Sequence, residues 1–551
     1  MEQTEIINSN SLSDDLGNEL ALQHLLKLAI ELSSERCTEK LLENILQSAM
    51  ELTGCDGGTI YSVLDQKYLE FSTLINRPLN LHLGGTSSKD INYAPISIFN
   101  EYNQPNNKAL VAISAATREC ICIDDVYACS QYDLTAAREM DKKTGYHTQS
   151  VLTIPLENHE DELNGVLQLI NPKINGEVIP FSAHQISMLK SMGALAAVAL
   201  TNRQLIDNME ELFQSLTRLI AKAIDEKSPY TGGHCRRVPI LTMMIADAVH
   251  NYDEGPLKDF KMSDADKHEL SVAGWLHDCG KIAIPESVMD KSTKLECVFD
   301  RIELLIHKVE ILKRDLEIKF LKALFEAQKQ EDLLKQETLT TEYNNEISYI
   351  ESELAFLQKT NLGGEFMHES SKQRVNAFAE KYELMVNGIK APILTENEIY
   401  NLNIDKGTLT KEERSIINKH MDITIAMLEA LPFPKHLKRV PEFAGGHHEK
   451  MDGTGYPKGL TKEQMSVPAR MMAIADIFEA LSAADRPYKE GKPLSECLFI
   501  MAKMTQQSHL DPDLFTIFIK SGVYMLYAKQ YMKPEQIDEI DITSLPGFTN
   551  I

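Results

Sequence analysis

The sequence predicts a multidomain chain: an α+β domain near the N-terminus, then a coiled-coil helix, then a longer region rich in helical segments. Three observations carry that expectation. The 551 residues amount to three or four domain-sized units at about 150 residues each. Between Gly54 and Pro172 the apolar residues fall in short β-rich runs broken by Gly, Asn and Pro, whereas the flanking segments repeat apolar residues at helical spacing. From Leu205 to Ala223 the spacing tightens to a strict alternation of four and three. With 43% hydrophobic and 25% charged residues, the composition excludes a wholly disordered or collagen-like chain.

Taken in order, residues 1–18 read as a disordered tail, acidic and polar, with neither the basic start nor the apolar core of a signal peptide. Residues 19–200 form the α+β unit. It starts with helical spacing (Leu25, Leu26, Ala29, Ile30, then Leu41, Leu42, Ile45, Leu46, Met50). Strands follow in GGTIYSVLD, KYLEFSTLI, SVLTIPLEN and NGVLQLINPK, and a second helical run starts at Ser182. The most apolar stretch, Met192–Leu200, is too short to cross a bilayer. Nine cysteines without a repeating frame predict reduced thiols and a cytoplasmic protein. Cys120 and Cys122 alternate as on a strand and read as buried structural thiols, with a redox or metal role as the alternative.

In 201–225, Leu205, Met209, Leu212, Leu216, Leu219 and Ala223 trace the seam of a coiled coil, and the frame extends back through Asn202 to Val198. A parallel homodimer helix joining the units on either side is expected; the alternative is an amphipathic helix packed on its own domain. A second helical region, 296–400, carries Ile302, Leu305, Val309, Leu312 and Leu316 on one arm and Ile347, Ile350, Leu354 and Leu357 on another. Its bend is expected within the polar stretch Gln328–Asn345, giving a helical hairpin that is an excursion or an arm for a protein partner.

Acidic residues outnumber basic ones, 81 to 56, for a formal charge of −25. Polymeric nucleic acid and anionic membranes are therefore not expected partners, and a phosphate-bearing ligand needs metal ions or a few placed Lys and Arg. The histidines supply a place for metal. His277-Asp278 closes LSVAGWLHDCGK, His447-His448 opens HHEKMDGTGYPKG, and Asp476 sits in the apolar helix ARMMAIADIFEAL. A buried carboxylate there must be paired or metal-bound. Imidazole and carboxylate ligands without thiolate suit Fe, Mn, Co or Zn, and an Asp can bridge two cations that lie ~3.5–4 Å apart.

Two resemblances follow from these strings. ICIDDVY (121–127), SVLTIPLENHEDELNGVLQLINP (150–172) and the helix FSAHQISMLKSMGALAAVAL resemble a GAF domain, whose ligand the sequence leaves unknown. LHDCGKIAIPESVMDK, HHEKMDGTGYPKGL, VPARMMAIADIFEAL and DRPYK resemble the HD-GYP domain, a branch of the HD phosphohydrolases. That second resemblance implies an all-α fold split into 226–295 and 401–551 by the 296–400 insertion, and hydrolysis of cyclic di-GMP to pGpG or GMP. It implies the metal ligands His234, His277, Asp278, His420, His447, His448 and Asp476, with Asp278 and Lys281 catalytic. It also implies substrate contacts from Gly455, Tyr456, Pro457, Arg486 and Lys489.

Three departures from the family pattern shape these expectations. Tyr230 stands where some members carry a third-metal Glu, so two divalent ions, Fe or Mn, are expected rather than three. His420 lies 143 residues beyond His277, so the insertion must loop out between neighbouring ligands. One extra residue separates Asp476 from Arg486, and Glu479 replaces an Asp. Two alternatives to a cyclic di-GMP phosphodiesterase stay open: a degenerate nucleotide-binding signalling module, and hydrolysis of another cyclic dinucleotide such as cyclic GMP-AMP.

Overall fold

The computed structural model describes residues 30–32, 35, 37–158, 160–228, 233–364, 366–484 and 491–548. The expected tail 1–18, Tyr230, Arg486 and Lys489 lie outside the described residues. The chain forms two compact units, the first ending at Leu212 and the second beginning at Phe213.

The first unit is α+β. Helix α1 (Thr38–Thr53) buries Leu41, Leu42, Ile45, Leu46, Ala49 and Met50 on one stripe and stops at Gly54, whose φ of 64° suits a residue without Cβ. The strands are β1 (Cys55–Leu64), β2 (Tyr68–Asn76), β3 (Leu81–Gly84), β4 (Ile96–Ser97), β5 (Ile121–Ile123), β6 (Val151–Glu157), β7 (Leu163–Ile174) and β8 (Glu177–Val178). They pair antiparallel in the order β3-β2-β1-β7-β6-β5, with β4 on β2 and β8 on β7. Alternation sends Ile60, Leu167 and Leu169 to the α1 face and Tyr61 and Val166 to the other. That other face is covered by α2 (Leu110–Thr117), and α3 (Thr135–Thr144) follows β5. A cavity of about 290 Å³ opens among Tyr61, Phe71, Leu134, Met140, Tyr146 and Ile170. The expected burial of Cys122 is overturned: Ile121 and Ile123 take the inward face of β5, so Cys122 is exposed and Cys120 half-buried.

Helix α4 runs unbroken from Ala183 to Lys227. Met192, Ala196 and Leu200 enter the core of the first unit, and Ala221 and Ile224 enter that of the second. The expected seam lies on neither buried face. Val198, Leu205, Met209, Leu212, Leu216 and Leu219 are between 44% and 71% exposed, while a different stripe, Thr217, Ala221 and Ile224, is buried.

The second unit is mostly helical. Its core elements are α5 (His234–Asn251), α6 (Asp264–Leu276), α7 (Glu286–Met289) and, beyond the insertion, α12 (Lys411–Glu429), α13 (Val440–Gly445), α14 (Val467–Ser482), α15 (Leu494–Gln506), α16 (Pro512–Lys520) and α17 (Val523–Tyr531). The intervening arm holds α8 (Ile302–Lys329), α9 (Leu333–Asn361), α10 (Glu369–Lys381), the hairpin β9 (Glu383–Val386) and β10 (Ile389–Pro392), and α11 (Glu396–Leu402). The arm has its own core, in which Val309, Leu312, Ile350, Leu357, Val375 and Phe378 meet. The bend falls within the expected stretch, at Gln330–Asp332, where the Asp332 side chain caps α9 at Lys335 N, and the polar stretch beyond is exposed helix. One detail corrects the sequence reading. The insertion is more than a helical hairpin: Asn387-Gly388, both at positive φ, turn a two-stranded ribbon.

Buried lysines close the base of the arm. Lys291 Nζ donates to Asn401 Oδ1 at 2.8 Å and to Glu413 at 2.8 and 2.9 Å. Lys294, 1% exposed, donates to the carbonyls of Leu402 and Ile404 at 2.9 and 2.8 Å. The chain thus leaves and re-enters the helical core at one point, which lets His277 and His420 become neighbours.

Candidate metal centre

Five structural elements converge on the site. His234 is the first residue of α5, His277 and Asp278 end α6, and His420 lies on α12. His447 and His448 follow α13, and Asp476 is in the middle of α14, a helix whose apolar residues from Ala469 to Ala475 are buried. The seven side chains fall into two groups, His234–His277–Asp278–Asp476 and His420–His447–His448, each with one potential ligand atom per residue within 4.8 Å of the rest. Asp278 spans the two. Its Oδ2 lies 3.2 Å from His234 Nε2 and 3.1 Å from His277 Nε2, while Oδ1 lies 3.4 Å from His420 Nε2. Asp476 Oδ1 closes the first group at 3.2 Å from His234 Nε2.

The donor set fits divalent cations. Nδ1 of His277, His420 and His447 each donates to the carbonyl three residues earlier (Gly274, Ile417, Ala444) at 2.7, 2.6 and 2.7 Å. That bond fixes the tautomer and leaves Nε2 with a lone pair facing inward. The Nε2 atoms of His234, His277, His420 and His447, and Asp278 Oδ1, are buried without a hydrogen-bond partner. Buried polar atoms are normally satisfied, so five orphans aimed at one space mark a place for ligated ions.

Glycines and a buried acid hold the segments around the ligands in place. The 3₁₀ turn Cys279–Ala283 packs against α12 through Gly280, whose N–H donates to Thr424 Oγ1 at 2.9 Å. Lys281 on that turn places Nζ 2.6 Å from Asp278 Oδ2; burial opposes its charge, but Asp278 keeps its pKa raised. In the signature loop, a Cβ on Gly455 would stand 2.4 Å from Glu449 Cα, so the loop closes only on glycine. Glu449, 1% exposed, accepts from Lys458 N at 2.7 Å and Leu460 N at 2.9 Å. Tyr456 stacks on His448 with ring centres 4.9 Å apart, and Pro457 follows it in the same loop.

The electrostatics are set by burial and mutual charge. Burial pushes His447 well below the ordinary imidazole range, helped by His448 and His277, and pushes His448 down to about 4. Burial alone would raise Asp278, yet Lys281 and the imidazoles hold it well below the usual carboxylate range; His234 does the same for Asp476. For His234 burial is outweighed by Glu479, Asp278 and Asp476, and its pKa is well above normal. A sign follows for the metal-free protein. As pH falls from 6.5, the unfolded chain protonates His447 and His448 while the fold keeps them neutral, so stability is lost. His234 keeps its proton in the fold, so it adds back a little stability as pH falls from about 7 to about 6, and the lowered carboxylates act only further down. We expect urea unfolding of the second unit to lose several kcal/mol between about pH 7 and about pH 4.5.

Sequence reasoning noted Glu479 only as a departure and missed its work. Its carboxylate, fully buried, accepts from His234 Nδ1 and is held by Arg237 Nε at 2.8 Å. His234 starts its helix and has no preceding helical turn to offer a carbonyl, so a carboxylate 245 residues away in sequence orients it instead. A readable signal existed: Glu479 follows Asp476 by three residues on the same face of a largely apolar helix. Glu479→Ala should weaken metal affinity about 10- to 100-fold, read by Mn²⁺ titration calorimetry, with Glu479→Asp recovering part of the loss.

Comparison with known proteins agrees with this architecture. Residues 38–200 match the GAF domain family, and 392–514 match the HD domain family. A 3'3'-cGAMP-specific phosphodiesterase 3 of Vibrio cholerae is 24% identical over 59% of this chain and 42% of its own length. A cyclic di-GMP phosphodiesterase of Pseudomonas aeruginosa is 39% identical over 21% of this chain and 28% of its own. A 3'3'-cGAMP-specific phosphodiesterase 1 of Vibrio cholerae is 42% identical over 15% of this chain and 19% of its own. The chain thus spans less than half the length of these relatives. Among the described residues no helix is long and apolar enough to cross a membrane. The chain thus combines a GAF domain match over residues 38–200 with an HD domain match over residues 392–514.

Proposed function

We propose that the protein is a metal-dependent phosphodiesterase that hydrolyses a cyclic dinucleotide, under control of its GAF domain. The observation that carries this reading is the bridging position of Asp278 between two clusters of inward-facing imidazoles. His234, His277, Asp278 and Asp476 would hold one divalent ion, and Asp278, His420, His447 and His448 the other, with Fe or Mn as the ions. When bound, the ions supply Lewis acidity and a nucleophile at neutral pH. The chain's own residues do the rest. Lys281 brings a cation beside Asp278, positioned to neutralise charge that grows on the phosphoryl oxygens. Gly455, Tyr456 and Pro457, in the loop that stacks Tyr456 on His448, would meet the substrate, as would Arg486 and Lys489. The sensor is assigned to 19–200, the linker to 201–225, and the output to 226–295 and 401–551 around the 296–400 arm.

Cyclic di-GMP is the proposed substrate, giving pGpG or GMP. The names of two relatives favour 3'3'-cGAMP as a second reading. Incubating Mn²⁺- or Fe²⁺-loaded protein with each nucleotide and separating products decides between them. No linear product from either, with close to two metals bound per chain, would overturn hydrolysis; a metal content below one per chain would favour a degenerate binding module.

The exposed stripe on α4 supports a parallel homodimer. Leu205, Leu212 and Leu219 repeat at one seam position, Met209 and Leu216 at the other, and Asn202 is the single polar residue that would fix register. Changing Leu205 and Leu212 together to Lys should convert a dimer to a monomer in light scattering at micromolar concentration; a monomeric parent protein overturns the assignment.

A further inference from the structure

The last turn of α4 reaches the metal centre through two residues that no catalytic role explains. Lys227 ends the helix, and its Nζ donates to the carbonyls of Lys281, Ile282 and Ile284 at 3.3, 2.5 and 2.7 Å. All three ammonium hydrogens are thereby used on the turn that follows His277-Asp278 and carries Lys281. Asp225, two residues earlier, faces a different segment. Its Oδ2 accepts from Gly233 N at 3.1 Å and its Oδ1 from Cys235 N at 3.3 Å, the amides on either side of His234.

This second contact replaces something α5 lacks. The residue before His234 is Gly233, at φ 81°, which has no side chain to cap the helix. A cap normally accepts from the first free N–H groups of its own helix. Here the acceptor comes from the end of another helix, and the capped turn is the one that presents His234. One helix end therefore grips both backbone segments of the first metal group. Successive residues on a helix point about 100° apart, so residues two apart can reach opposite sides.

We propose that Asp225 and Lys227 are positioning residues that couple α4 to the first metal group, so that a shift or rotation of α4 moves the His234 and Asp278–Lys281 segments together. This rests on the reading of that group as a metal site. Ligand distances are tolerant to only about 0.2 Å, so a small displacement of either segment is enough to change affinity.

The test uses the full chain with Lys227→Met, Lys227→Arg and Asp225→Asn. Mn²⁺ affinity is measured by calorimetry, and amide hydrogen exchange is followed in the metal-free protein. Lys227→Met should raise the Kd for Mn²⁺ about tenfold and speed exchange at residues 281–284, leaving the buried amides of α14 protected. Asp225→Asn should do the same at residues 233–236, and Lys227→Arg should recover most of the affinity. Unchanged exchange at these segments overturns the coupling, as does a loss of protection spread evenly through the second unit. If the parent protein binds no Mn²⁺, the metal reading falls, and the exchange pattern still decides whether α4 holds the two segments.

Discussion

Replacing Asp278 by Ala should lower cyclic dinucleotide hydrolysis by about three orders of magnitude or more, the equivalent of several kcal/mol of transition-state stabilisation. Asp278 is the one described carboxylate with an oxygen near each cluster: Oδ2 faces His234 and His277, and Oδ1 faces His420. Without it, each cluster keeps only its own histidines and, in the first, Asp476. Lys281 also loses the partner 2.6 Å away that fixes its ammonium. Metal content per chain should fall alongside kcat/KM. Asp278→Asn, which keeps the shape of the side chain, separates lost charge from lost packing and should be nearly as inactive. Activity within tenfold of the parent protein in either variant would show that the two clusters do not act through a shared carboxylate.

Gly280→Ala should destabilise the second unit by about 3 kcal/mol, at the upper end of ordinary overpacking. A Cβ at that position would stand 2.1 Å from His420 O and 2.7 Å from both Thr424 N and Thr424 Oγ1. The first two neighbours are backbone atoms inside α12 and cannot rotate away. Relief requires the 3₁₀ turn to part from α12, which breaks the Gly280–Thr424 hydrogen bond and draws Asp278 away from His420. The same substitution should therefore cost metal affinity as well as stability. A urea unfolding curve for the metal-free protein checks the first effect and Mn²⁺ titration the second; a shift below about 1 kcal/mol would mean that the turn has room the geometry denies it.

Asp476, His277-Asp278 and His447-His448 were legible because each sits in a short string whose composition is odd for its setting, whereas His234 and His420 came only from the resemblance. The seam on α4 was legible for the same reason, since a period of 3.5 is a property of neighbours along the chain. Other features were not. The Asn387-Gly388 ribbon was overlooked although its turn signal is local. Cys122 was placed inside because alternation gives two faces without saying which is covered.

The sequence by itself determined the order of the α+β and helical regions and pointed to five of the seven candidate ligands, because these are written in local spacing and in residue type; His234 and His420 came from the resemblance. Only the tertiary structure decided how they work together. It closed the 143-residue gap between His277 and His420 through Lys291 and Lys294 at the base of the arm. It turned Asp278 into a bridge, gave His234 its carboxylate from Glu479, and set the end of α4 against the backbone on both sides of the first cluster. Each of these depends on distances of about 3 Å between residues far apart in the chain, and such distances are fixed by packing rather than by any periodicity the chain carries.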